Sequence, residues 1–231
     1  TIMSKVKLST TNFDFLKQIK KNNNRDWFAE HKDRYLLELA QVEAFADGLL
    51  AEMNKHDEIE TATGKKSLFR IYRDTRFSKD KTPYKSHWSG GFKRATKKRR
   101  GGYYFHIEPG NSFVAGGFWG PEPKDLKRIR DEFAYDAKAI RAILKSKAFV
   151  STFGTIEGEQ VKNAPKGFDI SNPAIDLIRF KQLILKRDFT DKEVCADDFL
   201  KQVNDTFKKM RPFLDYMSEV LTTDENGVSL V

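Results

Sequence analysis

The chain has 231 residues, 39% of them hydrophobic and 13% aromatic, which excludes disorder and allows one large domain or two small ones around a real core. No apolar run nears the roughly eighteen residues that cross a bilayer, and "TIMSKVKLSTTN" lacks a signal peptide's apolar stretch. The formal net charge of +9 is concentrated: residues 64–100 carry fourteen Lys/Arg against two Asp/Glu, and the rest of the chain sums to −3.

A single cysteine, Cys195, excludes an intrachain disulfide and suits a reducing compartment, so a cytoplasmic protein with no membrane contact is expected. Local charge of this kind raises the concentration of anions nearby and says nothing of fold.

From Thr11 the pattern is helical. "TTNFDFLKQIK" offers Thr or Asn as a cap and stops at "KNNN". Phe28, His31, Tyr35, Leu39, Val42, Ala46, Leu49 and Met53 recur at steps of three and four, which predicts a longer second helix. The period then changes to two. "IETA", "SLFRIYRD", "HWSGGFKR", "GGYYFHIEP" and "NSFVAGGFW" read as strands, with "EPGNS" as a hairpin turn.

A helix restarts at "GPEPKDLKRIRDEF" with Leu126, Ile129, Phe133, Ala137, Ile140 and Leu144 on one stripe. "NAPKGFDISNP" is a loop in which Pro173 opens a short helix, and "RFKQLILKRDF" is a further strand. The stripe Val203, Phe207, Met210, Leu214, Met217 and Leu221 predicts a last helix that Pro212 kinks or splits, and "TTDENGVSLV" reads as a frayed tail. Strands bracketed by helices imply one α+β domain over residues 1–231, with its core at about 11–220. The sheet would be mostly antiparallel, with helices from both ends of the chain on one face.

Alternation assigns faces within two of these strands. Phe69 and Ile71 share one side of the first, opposite Arg70, Tyr72 and Asp74. Tyr103, Phe105 and Ile107 share one side of the other, opposite Tyr104, His106 and Glu108. The polar sides suggest a common cleft; the plainer alternative is a solvated sheet face. Beyond the first strand, "RDTRFSKDKTPYK" leaves as a loop. Arg70, Arg73, Arg76, Lys79, Lys81 and Lys85 supply charge for a small anionic, phosphate-bearing ligand, with Tyr72, Tyr84 and Tyr104 for hydrogen bonds or stacking. Pro83 restricts this loop, and Phe77 and Tyr84 are expected to anchor it by burying their rings. Structural ion pairs are the competing explanation for each single arginine.

Templates for catalysis fit poorly. "TATGKKS" imitates part of a P-loop, but Ile59 stands at the first glycine position and Lys66 intrudes before Ser67. His31, His56, His87 and His106 show no paired ligand spacing, so no metal is expected. His106 and Glu108 could be two ligands on one strand face, with no third evident. The same pair are the candidates for an acid and a base, with Asp74 as orienter. Gly116 and Gly117 permit a close backbone approach or a bulge. "KRATKKRR" most resembles a solvated hairpin tip, though a basic ribbon can also lie along nucleic acid.

"NNNRDWF" at 22–28, "FRIYRDTRFSKDKTPYK" at 69–85, "GYYFHIEPG" at 102–110 and "PKGFD" at 165–169 resemble the DUF2461 family. The resemblance spans about residues 11–220 and implies a single domain. It implies no activity, cofactor or site residue, and "KRATKKRR" lies outside its landmarks. Three readings stay open: an anion-binding protein, with or without catalysis; a nucleic-acid-binding module using residues 64–100; and an architectural motif whose arginines are used up in ion pairs.

Overall fold

Helical spacing builds the first part of the chain. The computed structural model describes residues 6–95, 97–224 and 226–231. Helix α1 (Thr10–Lys21) buries Phe13, Phe15, Leu16 and Ile19, and ends at Asn22. The stripe expected to be continuous from Phe28 is broken at His31 into α2 (Arg25–Glu30) and α3 (Lys32–Met53). Asn24 caps α2 by accepting from the Trp27 amide, and His31 turns its ring back to the Trp27 carbonyl at 2.8 Å. Short α4 (Gly64–Ser67) replaces the P-loop lookalike. Its first amide donates to the Asp47 carboxylate at 2.6 Å, so that amide is already satisfied.

Strands β1 (Trp88–Lys93), β2 (Gly102–Ile107), β3 (Ser112–Phe118) and β4 (Leu183–Phe189) form a four-stranded antiparallel sheet in that order. Between β3 and β4 run α5 (Pro123–Tyr135), α6 (Lys138–Lys145), α7 (Lys147–Phe153) and α8 (Ile175–Ile178). The stripe from Leu126 to Leu144 is therefore interrupted at Asp136, an extended residue whose carboxylate accepts from the Lys138 amide. After α9 (Asp191–Val194), α10 (Phe199–Thr222) runs through Pro212 as one helix, so the proline removes a hydrogen bond without splitting it. The segment read as a frayed tail folds back instead: Thr223 bridges Ser229, and the Leu230 amide reaches the Thr222 carbonyl at 2.7 Å. The fold is α+β.

The chain forms two compact units. The first takes the described residues up to Phe92, with Tyr104–Val114 and Asp188–Asp205. Its core centres on Phe45, which meets Phe105 edge-on at 5.6 Å and stacks on Phe199 at 5.4 Å. Gly90 is obligatory beside this cluster, because a Cβ there would lie 2.6 Å from the Phe105 ring.

The second unit takes Lys93–Tyr103, Ala115–Arg187 and Thr206–Val231. Tyr103 packs on Phe207 at 4.8 Å, and Ile129, Phe133, Leu185, Met210 and Phe213 of the same unit are also buried. The paired glycines of β3 are explained here by close approach of other elements. A Cβ on Gly116 would meet Met210 Sδ at 2.4 Å, and one on Gly117 would meet the Leu183 carbonyl at 2.2 Å. Gly117 also has φ +130°, a region side chains avoid. Gly117→Ala should lower stability by about 2–4 kcal/mol, read as a lower urea midpoint, because backbone on both sides must shift.

Candidate functional site

Alternation along β2 sorts its side chains into two sets. Tyr103, Phe105 and Ile107 are no more than 1% exposed. Tyr104, His106 and Glu108 are linked by hydrogen bonds: Tyr104 Oη to His106 Nδ1 at 3.0 Å, and His106 Nε2 to Glu108 Oε2 at 3.0 Å. A carboxylate only accepts, so Nε2 carries the proton and Nδ1 accepts from the tyrosine. Asn111 donates to Glu108 Oε2 at 3.0 Å, and Ser86 reaches Oε1 at 3.4 Å. Phe113 of β3 stacks on the His106 ring at 4.8 Å, and His87, just before β1, lies against it at 4.1 Å.

Burial sets the electrostatics. It pushes the His87 pKa down to about 4, helped by neighbouring His106 and Lys85 and opposed by Glu108. Burial alone would raise Glu108, but hydrogen bonds from His106 and Asn111, with both histidines nearby, hold its carboxyl below the ordinary value. Tyr104 is raised, chiefly by burial and further by Glu108, with a hydrogen bond to Ser89 opposing. Lys85, lowered by burial, sits 5.9 Å from the ring of Phe69, which in turn lies 6.3 Å from Tyr104. Such a relay can take up or release a proton at a defined atom.

"SLFRIYRD" forms no strand of the sheet and touches it only at its start, where Leu68 bridges Gly90 of β1. Residues 68–90 form an irregular antiparallel ribbon: the Phe69 amide bonds the Ser89 carbonyl at 2.9 Å and the Lys85 amide bonds Ile71 at 2.7 Å. The return segment thus holds two more residues than the outgoing one around His87, which interrupts regular pairing there. Ile71 is buried as expected, but Phe69 is 53% exposed, so the two do not share a buried face.

The ribbon ends in a hairpin closed by the Tyr72–Tyr84 bridge. The Asn23 side chain clamps it, donating to the Tyr84 carbonyl at 2.8 Å and accepting from the Tyr84 amide at 3.0 Å. Tyr84 is buried against Phe28, stacked at 4.1 Å, with the edge of Tyr72 alongside. Phe77, expected as a second anchor, is instead 96% exposed at the tip.

Two of the three arginines at spacing three are tied within the loop. Arg73 pairs with Asp80 at 2.5 Å and donates to the Thr82 carbonyl at 3.1 Å. Arg76 forks onto Asp74 at 2.7 and 3.0 Å, which lowers the Asp74 pKa. Asp74, expected to orient His106, is therefore committed to Arg76, and Tyr104 holds Nδ1 in its place. Lys81 donates to the Thr75 carbonyl at 2.8 Å, while Arg70 and Lys79 are exposed.

Beside the hairpin lies a shallow groove of about 800 Å³. Asn23, Asn24, Arg25, Tyr72, Arg73, Thr75, Lys81, Thr82, Pro83 and Tyr84 line it. The single cleft expected from strand faces is thus two places: no groove residue belongs to the His87–His106–Glu108 cluster. Sequence reasoning missed Arg25 and the role of His87. The one signal for Arg25 was its place in "NNNRDWF"; nothing local pairs His87 with a strand that starts fifteen residues later.

The basic run 93–100 is largely structural among its described residues; Thr96 lies outside them. Arg94 is fully buried, paired with Asp215 and bonded to Ser218 Oγ at 3.2 Å. Arg99 approaches Asp215 at 3.8 Å and Arg100 pairs with Asp125.

The sequence profile of DUF2461, described as a conserved hypothetical protein, matches residues 11–216. The chain belongs to the DUF2461 family. No curated protein and no solved structure matches it. For this DUF2461 protein, then, function must be read from the groove and the cluster themselves.

His87 gives a pH test. An unfolded chain takes up its proton near pH 6.5, whereas the native site resists until about pH 4. Between those values the unfolded state binds more protons, so stability falls as pH drops from about 6.5 to about 4 and this contribution changes no further below. His87→Asn should flatten that part of the profile, measured by urea midpoints at pH 7, 5.5 and 4.5.

Proposed function

We propose that this DUF2461 protein binds a small anionic, phosphate-bearing ligand in the groove between the Asn23–Arg25 turn and the 72–84 hairpin. One observation carries the reading: the groove is lined by three cations, two asparagines, two threonines and two tyrosines, with no carboxylate. Asp80 offsets Arg73, but Lys81 is held by backbone carbonyls, so its charge and that of Arg25 face the groove without an acid in its wall. Guanidinium forks and hydroxyls together suit phosphate oxygens. The Asn23 clamp, the Tyr84 stack and the Arg73 staple fix these groups in place beforehand, which limits the ordering entropy lost on binding.

No helix among the described residues is long and apolar enough to cross a membrane. We propose a cytoplasmic location on the lone Cys195. The nucleic-acid reading is weaker, since acids hold Arg94, Arg99 and Arg100.

A thermal-shift screen of phosphate, nucleotides and polycarboxylates should find a stabiliser. At a hundredfold excess over its Kd the gain is about 2.7 kcal/mol. Arg25→Ala should abolish the shift without changing the melting temperature of the free protein, whereas Arg76→Ala, outside the groove wall, should retain it. Absence of any stabilising anion, or a full shift in Arg25→Ala, sinks the reading.

A further inference from the structure

Two histidines and a carboxylate converge where the sequence offered only a pair. One ligand atom from each of His87, His106 and Glu108 lies within 4.8 Å of the other two. We propose that these three side chains bind a divalent first-row transition-metal ion, leaving its remaining positions open to water or substrate.

Donor spacing supports this. Ligands about 2.1 Å from a common ion stand roughly 3.0 Å apart at a right angle and about 3.4 Å apart at a tetrahedral one. His106 Nε2 and Glu108 Oε2 are already 3.0 Å apart. The ion takes the place of the proton between them. That proton moves to Nδ1, which then donates to the Tyr104 oxygen, so the exchange is balanced within one ring. His87, whose ligand atom lies within 4.8 Å of the other two, completes the set when its ring turns toward them.

The surroundings have the form that metal ligands require. A ligating imidazole needs its second nitrogen held, and Tyr104 holds Nδ1 at 3.0 Å. A ligating carboxylate needs support, and Asn111 and Ser86 supply it. Phe113 fixes the plane of the His106 ring. The side chains of His106 and Glu108 are 10% and 18% exposed, shielded yet reachable from solvent. Two imidazoles and one carboxylate select zinc, iron, cobalt or their neighbours over magnesium and calcium. Three protein ligands also mark an open site, not a closed structural one.

The inference stands apart from the anion reading and is tested with the metal alone. The 231-residue chain, stripped with a chelator, is titrated with Zn²⁺ by calorimetry and with Co²⁺ by visible absorption. One ion per chain is expected, with a rise in melting temperature. His87→Asn and Glu108→Gln should each weaken binding at least about a hundredfold, and Tyr104→Phe by roughly tenfold or more. If a variant fails to fold, electron paramagnetic resonance of the Cu²⁺-loaded parent decides, since it should show two imidazole nitrogens. Lack of stoichiometric uptake overturns the proposal, as does fewer than two such nitrogens. So does binding that survives both substitutions and is lost in His31→Asn or His56→Asn.

Discussion

The structure depends on a single strand that serves two solvents. In β2, Tyr103, Phe105 and Ile107 are driven out of water, and the two-residue period then forces Tyr104, His106 and Glu108 to the opposite side. Phe105 is fixed by Phe45 and by the missing Cβ of Gly90, and Tyr103 by Phe207. Each core contact therefore also locates a polar neighbour to within a bond rotation. The Tyr104–His106–Glu108 line gains its order from hydrophobic packing that it does not itself touch.

Partial burial of that line has a consequence for its chemistry. Histidine and glutamate in water would titrate freely; here neighbours and desolvation hold Glu108 ionised and His87 neutral over a wide range. A half-buried polar set must satisfy its donors and acceptors or destabilise the fold. Tyr104, Ser86 and Asn111 do so around His106 and Glu108. One ligand atom from each of His87, His106 and Glu108 is thereby kept within 4.8 Å of the other two.

The basic loop shows how far charge counting can mislead. Fourteen cations against two acids suggested a field left unbalanced. Yet both acids are used locally, Asp80 on Arg73 and Asp74 on Arg76, and distant Asp215 and Asp125 hold the arginines of the 93–100 run. The two exposed pairs of the loop contribute little to stability. Their effect is to shape the hairpin and to leave Arg25 and Lys81 as the cations of the groove wall that no acid holds.

By itself the sequence determined the α+β class, three of the sheet's strands from alternation and the fourth from a less even one, the helical ends, and the shared face of Tyr104, His106 and Glu108. All of these follow from periods of two and 3.6 residues, which are local properties of the backbone. Only the tertiary structure decided that "SLFRIYRD" meets the sheet through a single bridge and not as a strand, that Arg94 is a core residue, and that Pro212 lies within an unbroken helix. It also decided that His87 meets His106 and that Asn23 carries Arg25 to the 72–84 hairpin. Interrupted pairing changes no composition, and an ion pair between residues a hundred positions apart leaves no period to read. Contacts of that kind exist only once the chain has closed on itself.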